Sequence, residues 1–170
     1  MAQILVDKYQ DHIPLNRSEQ RFARLGAWLP RSTMCDWVAA CAELLTPLCQ
    51  LLKAWVLSSK VLHTDDTTVA VRDEELTKHR YGRQWVYIGD DLHPGIVFDY
   101  TTSHARDGPA MFLKGFKGFL QADAYGAYDG IYTDSNGEIV EVGCMAHARK
   151  KFAEAESTDP ERVLAAKAKG

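Results

Sequence analysis

Apolar residues recur along the chain with two different periods, and the change falls near Ser58-Ser59-Lys60. Before that point the spacing is helical. Phe22, Leu25, Trp28 and Leu29 stand three and four apart, so a helix is expected over Arg17–Leu29, ended by Pro30. Thr33 then has the chemistry of an N-cap, with Asp36 three residues on as a weak capping-box acid. Trp37, Ala40, Cys41, Leu44, Leu45 and Leu48 follow as one apolar stripe; Pro47 should kink this helix or begin a second one through Leu57. After Lys60 the period shortens. Val61–Val71 is rich in Thr and Val and reads as a strand, followed by strands over Arg83–Gly89 and Gly95–Thr101. Connections of about five to twelve residues suit an antiparallel meander. A short helix over Pro109–Phe116, opened by Asp107 or Gly108, leads into a strand over Gly118–Ala122. After a Tyr/Gly-rich turn and a short helix, Asn136-Gly137 marks the turn before a strand over Ile139–Cys144, and a helix runs from Ala146 to about Glu156. This order predicts an α/β protein: a mixed five-stranded sheet with packed helices, preceded by a helical segment over residues 1–58.

Composition narrows the class. The 170 residues are 46% hydrophobic and 10% aromatic, enough to bury a core and to exclude disorder and collagen-like repeats. The most apolar stretch, Leu44–Leu57, is interrupted by Pro47, Gln50 and Lys53, so no membrane span is expected, and Met1–Lys8 lacks the pattern of a secretory signal. A cytoplasmic chain is therefore expected. The four cysteines form no Cys-x-x-Cys pair, and Cys41 is expected as a small core residue. Net charge is −3; residues 1–60 carry seven Lys/Arg against five Asp/Glu, and the rest thirteen against eighteen. No basic nucleic-acid footprint appears in this balance. Arg17, Arg21, Arg24 and Arg31 are placed to touch a phosphate backbone or to form a solvated basic face.

Two carboxylates stand out by position. Asp65 lies in the middle of the first strand and Asp123 closes the fourth, although Asp is a poor strand former and costly against a sheet core unless paired or metal-bound. If those strands are neighbours, both side chains converge, and a divalent cation relieves their repulsion. Hard oxygen ligands suit Mg²⁺ or Mn²⁺, and phosphoryl transfer is the chemistry of such a site. A shared cation requires carboxylates within roughly 4–8 Å. Pattern alone leaves the alternative open, with Asp65 a turn or edge residue and Asp123 a cap of the Tyr125–Ile131 turn. At the junction of the fifth strand and last helix, Cys144 and His147 stand three apart. Two such ligands do not close a structural zinc site, which needs four. Arg149-Lys150-Lys151 follow at a helix start, where they oppose the helix dipole, and either meet an anionic backbone or are simply solvated.

Together these segments resemble one family. Leu62-His63-Thr64-Asp65-Asp66-Thr67-Thr68-Val69 is similar to the first-aspartate strand of the insertion-sequence-66 family of bacterial transposases. Phe112–Tyr128, containing Gly118-Phe119-Leu120-Gln121-Ala122-Asp123-Ala124-Tyr125-Gly126, resembles its second-aspartate block. Gly143-Cys144-Met145-Ala146-His147-Ala148-Arg149-Lys150-Lys151-Phe152 resembles the Cys-x-x-His element that follows, and Asp11–Leu15 and Arg31–Trp37 resemble the helical lead-in. The resemblance implies a ribonuclease-H-like catalytic core over 61–170. It implies a DDE-type transposase, in which two Asp and one Glu hold two divalent metals (Mg²⁺ or Mn²⁺) while DNA is cut and joined. By motif match Asp65 and Asp123 are the catalytic metal ligands, with Cys144 and His147 near the site. The partners implied are the double-stranded DNA ends of a mobile element and, in the intact protein, further copies of itself. The chain departs from the family at Asp66 and Thr68, where Glu and Pro are usual, and at Met145, where an aromatic is common. The larger departure is that it stops at Gly170, before the Asp-Asn-Asn-x-x-Glu segment that carries the family's third carboxylate. The expectation is a truncated core, inactive alone; the alternatives are a non-catalytic remnant that at most binds DNA or oligomerises, or another ribonuclease-H-like nuclease.

Overall fold

The structure, a computed structural model, describes residues 1–72, 80–102, 105, 107–123, 125, 126 and 128–158, the last four as backbone. The chain forms two compact units, Met1–Leu51 and Leu52–Gly170, with the boundary inside a helix.

The first unit is helical: α1 (Ala2–Tyr9), α2 (Leu15–Arg24) and the larger part of α3 (Arg31–Leu57). The periodicity did not single out α1. α2 ends earlier than Pro30 requires, because Gly26 at φ +80° turns the chain out of the helix. Asp7 is buried and held by Gln3 Nε2 at 2.6 Å and Arg21 Nη1 at 3.1 Å, so Arg21 is committed to an internal ion pair rather than to a free basic face. Pro47 does not divide α3, which runs as one 27-residue helix. By length and composition alone it is long and apolar enough to cross a membrane, a test that a core helix also passes. Its last turn, however, belongs to the core of the second unit through Val56. The apolar stripe is not covered along its length: Leu44, Leu45 and Leu48 are exposed, Leu44 at 79%, and the fully buried hydrophobic residues of α3 are Met34 and Val56. Cys41 is half-buried, its Sγ 3.2 Å from Met1 Sδ.

The second unit is built on β1 (Val61–Val71), β2 (Arg80–Ile88), β3 (Ile96–Thr101), β4 (Gly118–Ala122) and β5 (Ile139–Gly143), in the spatial order β3-β2-β1-β4-β5. The first three strands are an antiparallel meander, with Asp65 opposite Val86. β4 and β5 then run parallel to β1, paired Val61↔Phe119 and Ala122↔Gly143 at the ends of the two ladders. Such parallel neighbours need crossovers. They are supplied by α4 (Asp107–Phe112) and α5 (Asp129–Asp134), and α6 (Met145–Thr158) leaves the last strand. α4 is shorter than Pro109–Phe116 because the chain turns at Gly115, φ +84°. This is a mixed five-stranded α/β sheet with packed helices, preceded by a helical segment, as the order of elements predicts.

Alternation along the strands divides the sheet into unlike faces. Leu62, Trp85, Tyr87, Leu120, Ala122 and Ile139 pack with Phe112, Leu113, Phe116, Tyr128, Ile131 and Val56 as one core. Full burial of each large apolar side chain there contributes about 1.5–3 kcal/mol. Two of its polar groups are matched: Thr64 Oγ1 and Tyr128 Oη lie 3.2 Å apart, and Trp85 Nε1 donates to Thr101 Oγ1 at 2.9 Å, whereas Tyr87 Oη is buried with no partner among the described residues. The opposite face, with Ile88, Ile96, Phe98, Tyr100, Phe119 and Val140, is exposed among the described residues, and it carries His63 and Asp65.

Candidate metal centre

The register itself assembles the site. β1 and β4 pair Val61↔Phe119 through His63↔Gln121, so two further residues along the same register bring Asp65 beside Asp123. β4 and β5 pair Ala122↔Gly143, which brings Cys144 to the other side of Asp123, and Cys144 N donates to Ala122 O at 3.0 Å. Cys144 O then accepts from Ala148 N at 3.1 Å, opening α6 and presenting His147 from its first turn. Asp123 and Cys144 lie at the carboxyl ends of the parallel strands β4 and β5, where open α/β sheets bind ligands, and Asp65 stands beside them in the middle of β1.

Asp65, Asp123 and His147 each offer a donor atom, and these atoms lie within 4.8 Å of one another. The two carboxylates thus fall within the span that a shared cation requires. Asp65 is exposed and the other two are half-buried. Local hydrogen bonds hold the carboxylates: Asp65 Oδ1 accepts from Asp66 N at 2.9 Å, and Asp123 Oδ1 from Tyr125 N at 3.3 Å. Asp123 therefore makes the turn-capping bond that the sequence left as an alternative while also facing Asp65. Asp65 stands on the central strand, not at an edge. Its neighbour Asp66 points to the other face, side chain nearly buried, paired with Arg83 Nη1 at 2.9 Å.

Cys144 and His147 interact. Hydrogen bonding from the His147 backbone N–H and then from its side chain holds the Cys144 thiol below the usual thiol range. The bond to Cys144 holds the imidazole above its ordinary pKa; burial opposes it, and the charges of Asp65, Cys144 and Asp123 add to the rise. His147 Nδ1 is nevertheless buried without a hydrogen-bond partner of good geometry among the described residues. A small cleft of about 150 Å³ lined by His63, Asp65, Gln121 and His147 opens on the exposed sheet face. A larger one, about 560 Å³, contains Asp123, Glu141, Cys144, His147 and Lys151.

The basic run falls in the second turn of the last helix. Arg149-Lys150-Lys151 lie beyond the first turn of α6, where the dipole's effect has faded, and Lys150 and Lys151 reach Glu154 at 4.0 and 3.7 Å. All three are exposed. What the sequence did not resolve is that His147 joins the carboxylates; its signal was the i, i+3 spacing from the residue that extends β5.

A mixed sheet that brings two carboxylates together, one in β1 and one at the end of β4, defines the class: an α/β protein with a candidate divalent-cation centre. The family follows from sequence comparison. The chain matches the transposase IS66 family over residues 1–169 and belongs to that family. Two relatives, both from Sinorhizobium fredii (strain NBRC 101917 / NGR234), are the uncharacterized proteins y4hP and y4qI. The first is 34% identical over 162 residues and the second 31% over 163, covering 91% and 89% of this chain. The chain spans only 29% and 30% of their lengths. Among solved structures, the Drosophila P element transposase strand transfer complex is a distant likeness. Its TM-score is 0.44 at 15% identity, over 78% of this chain and 38% of that one.

Proposed function

We propose that this chain is the central catalytic segment of a bacterial insertion-sequence transposase of the DDE type, working on the double-stranded DNA ends of its own mobile element in the cytoplasm. The observation that supports the reading is the convergence of Asp65 and Asp123 on one point, in a chain of this family. Two carboxylates at that separation repel each other unless a cation lies between them, so the donor set fits a divalent ion, Mg²⁺ or Mn²⁺. Asp65 and Asp123 hold it. When bound, such an ion polarises a phosphodiester and lowers the pKa of the attacking hydroxyl or water. The residues of the chain keep both carboxylates oriented through the Asp66 and Tyr125 amides. Exposed Arg149, Lys150 and Lys151 supply contacts to the DNA backbone. The third carboxylate lies in a downstream segment of a longer protein that acts as a homo-oligomer. The exposed apolar sheet face around Asp65 supports this incompleteness, because contiguous apolar surface of that kind marks an interaction site.

The test compares the 170-residue chain with a version extended through the Asp-Asn-Asn-x-x-Glu segment. The substrate is DNA carrying the element's ends, with Mg²⁺ or Mn²⁺ supplied. The extended protein is expected to cleave, and Asp65→Asn or Asp123→Asn to abolish cleavage. The short chain is expected to show none above background, since positioning is most of phosphoryl-transfer catalysis, and to bind DNA weakly, less so as salt rises. Robust cleavage by the short chain, lost on Asp123→Asn, would place the third catalytic carboxylate, or a ligand that replaces it, within these residues and overturn the reading of an incomplete site.

A further inference from the structure

We propose that His147 is the third protein ligand of the cation at Asp65 and Asp123, and that its imidazole turns the site toward Mn²⁺ and Co²⁺ over Mg²⁺. The inference rests on the reading that the two carboxylates hold a cation; it adds a ligand and a selectivity. Donors on one ion at about 2.1 Å each stand at most about 4.2 Å apart. The three donor atoms lie within 4.8 Å of one another, so a closure of at most about 1–2 Å brings all three onto one ion, whose cis donors stand about 3 Å apart. Main-chain bonds fix the frame, since β4 is tied to Cys144 and Cys144 to the first turn of α6; the imidazole thus comes from a helix rather than a free loop. Nδ1 of that ring is buried with no hydrogen-bond partner of good geometry among the described residues. A buried ring nitrogen without a well-formed bond is a cost, and a ligand role gives the imidazole a partner beyond Cys144.

The selectivity follows from ligand chemistry. Mg²⁺ demands oxygen donors in near-octahedral geometry and gives up water reluctantly, so an imidazole adds little to its binding. Imidazole nitrogen suits borderline transition metals, with Co²⁺ bound more tightly than Mn²⁺. Three protein donors with open positions also leave room for substrate oxygens, which distinguishes this arrangement from a closed structural site.

The experiment is a Mn²⁺ titration of the full 170-residue chain followed by electron paramagnetic resonance, with electron spin-echo envelope modulation recorded on the bound ion. Bound Mn²⁺ is expected to show the ¹⁴N modulation of a coordinated imidazole. His147→Ala and His147→Gln should each remove that modulation and weaken Mn²⁺ by about tenfold or more, since even outer-shell partners of a ligand are worth that much. Mg²⁺ affinity, read by competition, should change by less than about twofold. His63→Ala, which alters the other histidine on this face, should leave the modulation in place. Mn²⁺ that is lost on Asp65→Asn, yet shows no ¹⁴N modulation and ignores both His147 variants, would overturn the ligand role and leave the carboxylate site standing. Mn²⁺ binding indifferent to Asp65→Asn and Asp123→Asn, or no binding at millimolar ion, would overturn the carboxylate site and the ligand role together. Should a His147 variant fail to fold, the modulation in the unaltered and His63→Ala chains decides the question.

Discussion

Tyr87 stacks on Phe112 with ring centroids 3.6 Å apart and planes only 3° from parallel, in the middle of the buried sheet face. Its hydroxyl is buried without a hydrogen-bond partner among the described residues, and burial pushes its pKa above the ordinary tyrosine range. A desolvated hydroxyl that gains nothing in return lowers stability. Tyr87→Phe keeps the ring and removes the oxygen, so the urea midpoint is expected to rise, by up to about 1 kcal/mol in stability. A clear loss would reveal a bond to the hydroxyl that this packing does not contain. Asp90 is the opposite case. It accepts from the backbone N–H groups of Lys60, Leu92 and His93, and His93 Nδ1 lies 2.9 Å away. The bond to His93, followed by the backbone bonds, holds its carboxyl down at about 2, against 3.8 ordinarily. Because the folded pKa is depressed, the stability this carboxylate provides is complete above 3.8 and disappears as pH falls through about 2. Acid titrations of the parent chain and Asp90→Ala should therefore differ by a constant amount above that window and converge within it. A difference that persisted below about 2 would show that packing, not charge, ties the β2–β3 connection to Lys60.

Among the elements, β4 is the shortest route from sequence to site, since its five residues set where Asp123 falls. Its first residue, Gly118, has φ +150°, and a Cβ there would lie 2.5 Å from the Lys60 carbonyl oxygen, which already accepts from Phe119 N at 2.8 Å. Gly118→Ala is expected to destabilise by about 1–3 kcal/mol through combined strain and displacement. It should also weaken any cation bound at Asp65 and Asp123, because the β1–β4 register is what aligns them. Calorimetry and a metal titration on the same variant check both, and an unchanged melting temperature would refute the close approach. Helix elements were less legible. Spacing located α3, but Pro47 did not break it, and its leucine stripe is exposed rather than packed. A periodic stripe states that a helix has an apolar side, not that anything in the same chain covers it.

For the whole molecule, the change of period at Lys60 and the strand–helix order carried real information. β1 occupies the residues that alternation assigned, and three strands followed by two strand–helix crossovers leave few sheets to choose from. Asp65 and Asp123 were visible because carboxylates are out of place in strands, and motif likeness singled them out. The order β3-β2-β1-β4-β5 decided the rest. Only the parallel pairing of β1 with β4, and of β4 with β5, carries Asp65, Asp123 and His147, up to 82 positions apart in the chain, to within 4.8 Å. Local pattern fixes which residues alternate or turn, since those are properties of neighbours a few bonds away. Which strand lies beside which, whether a stripe is covered, and which imidazole meets which carboxylate depend on contacts between distant segments. Those were set by packing one sheet face under α4 and α5 and leaving the other exposed among the described residues.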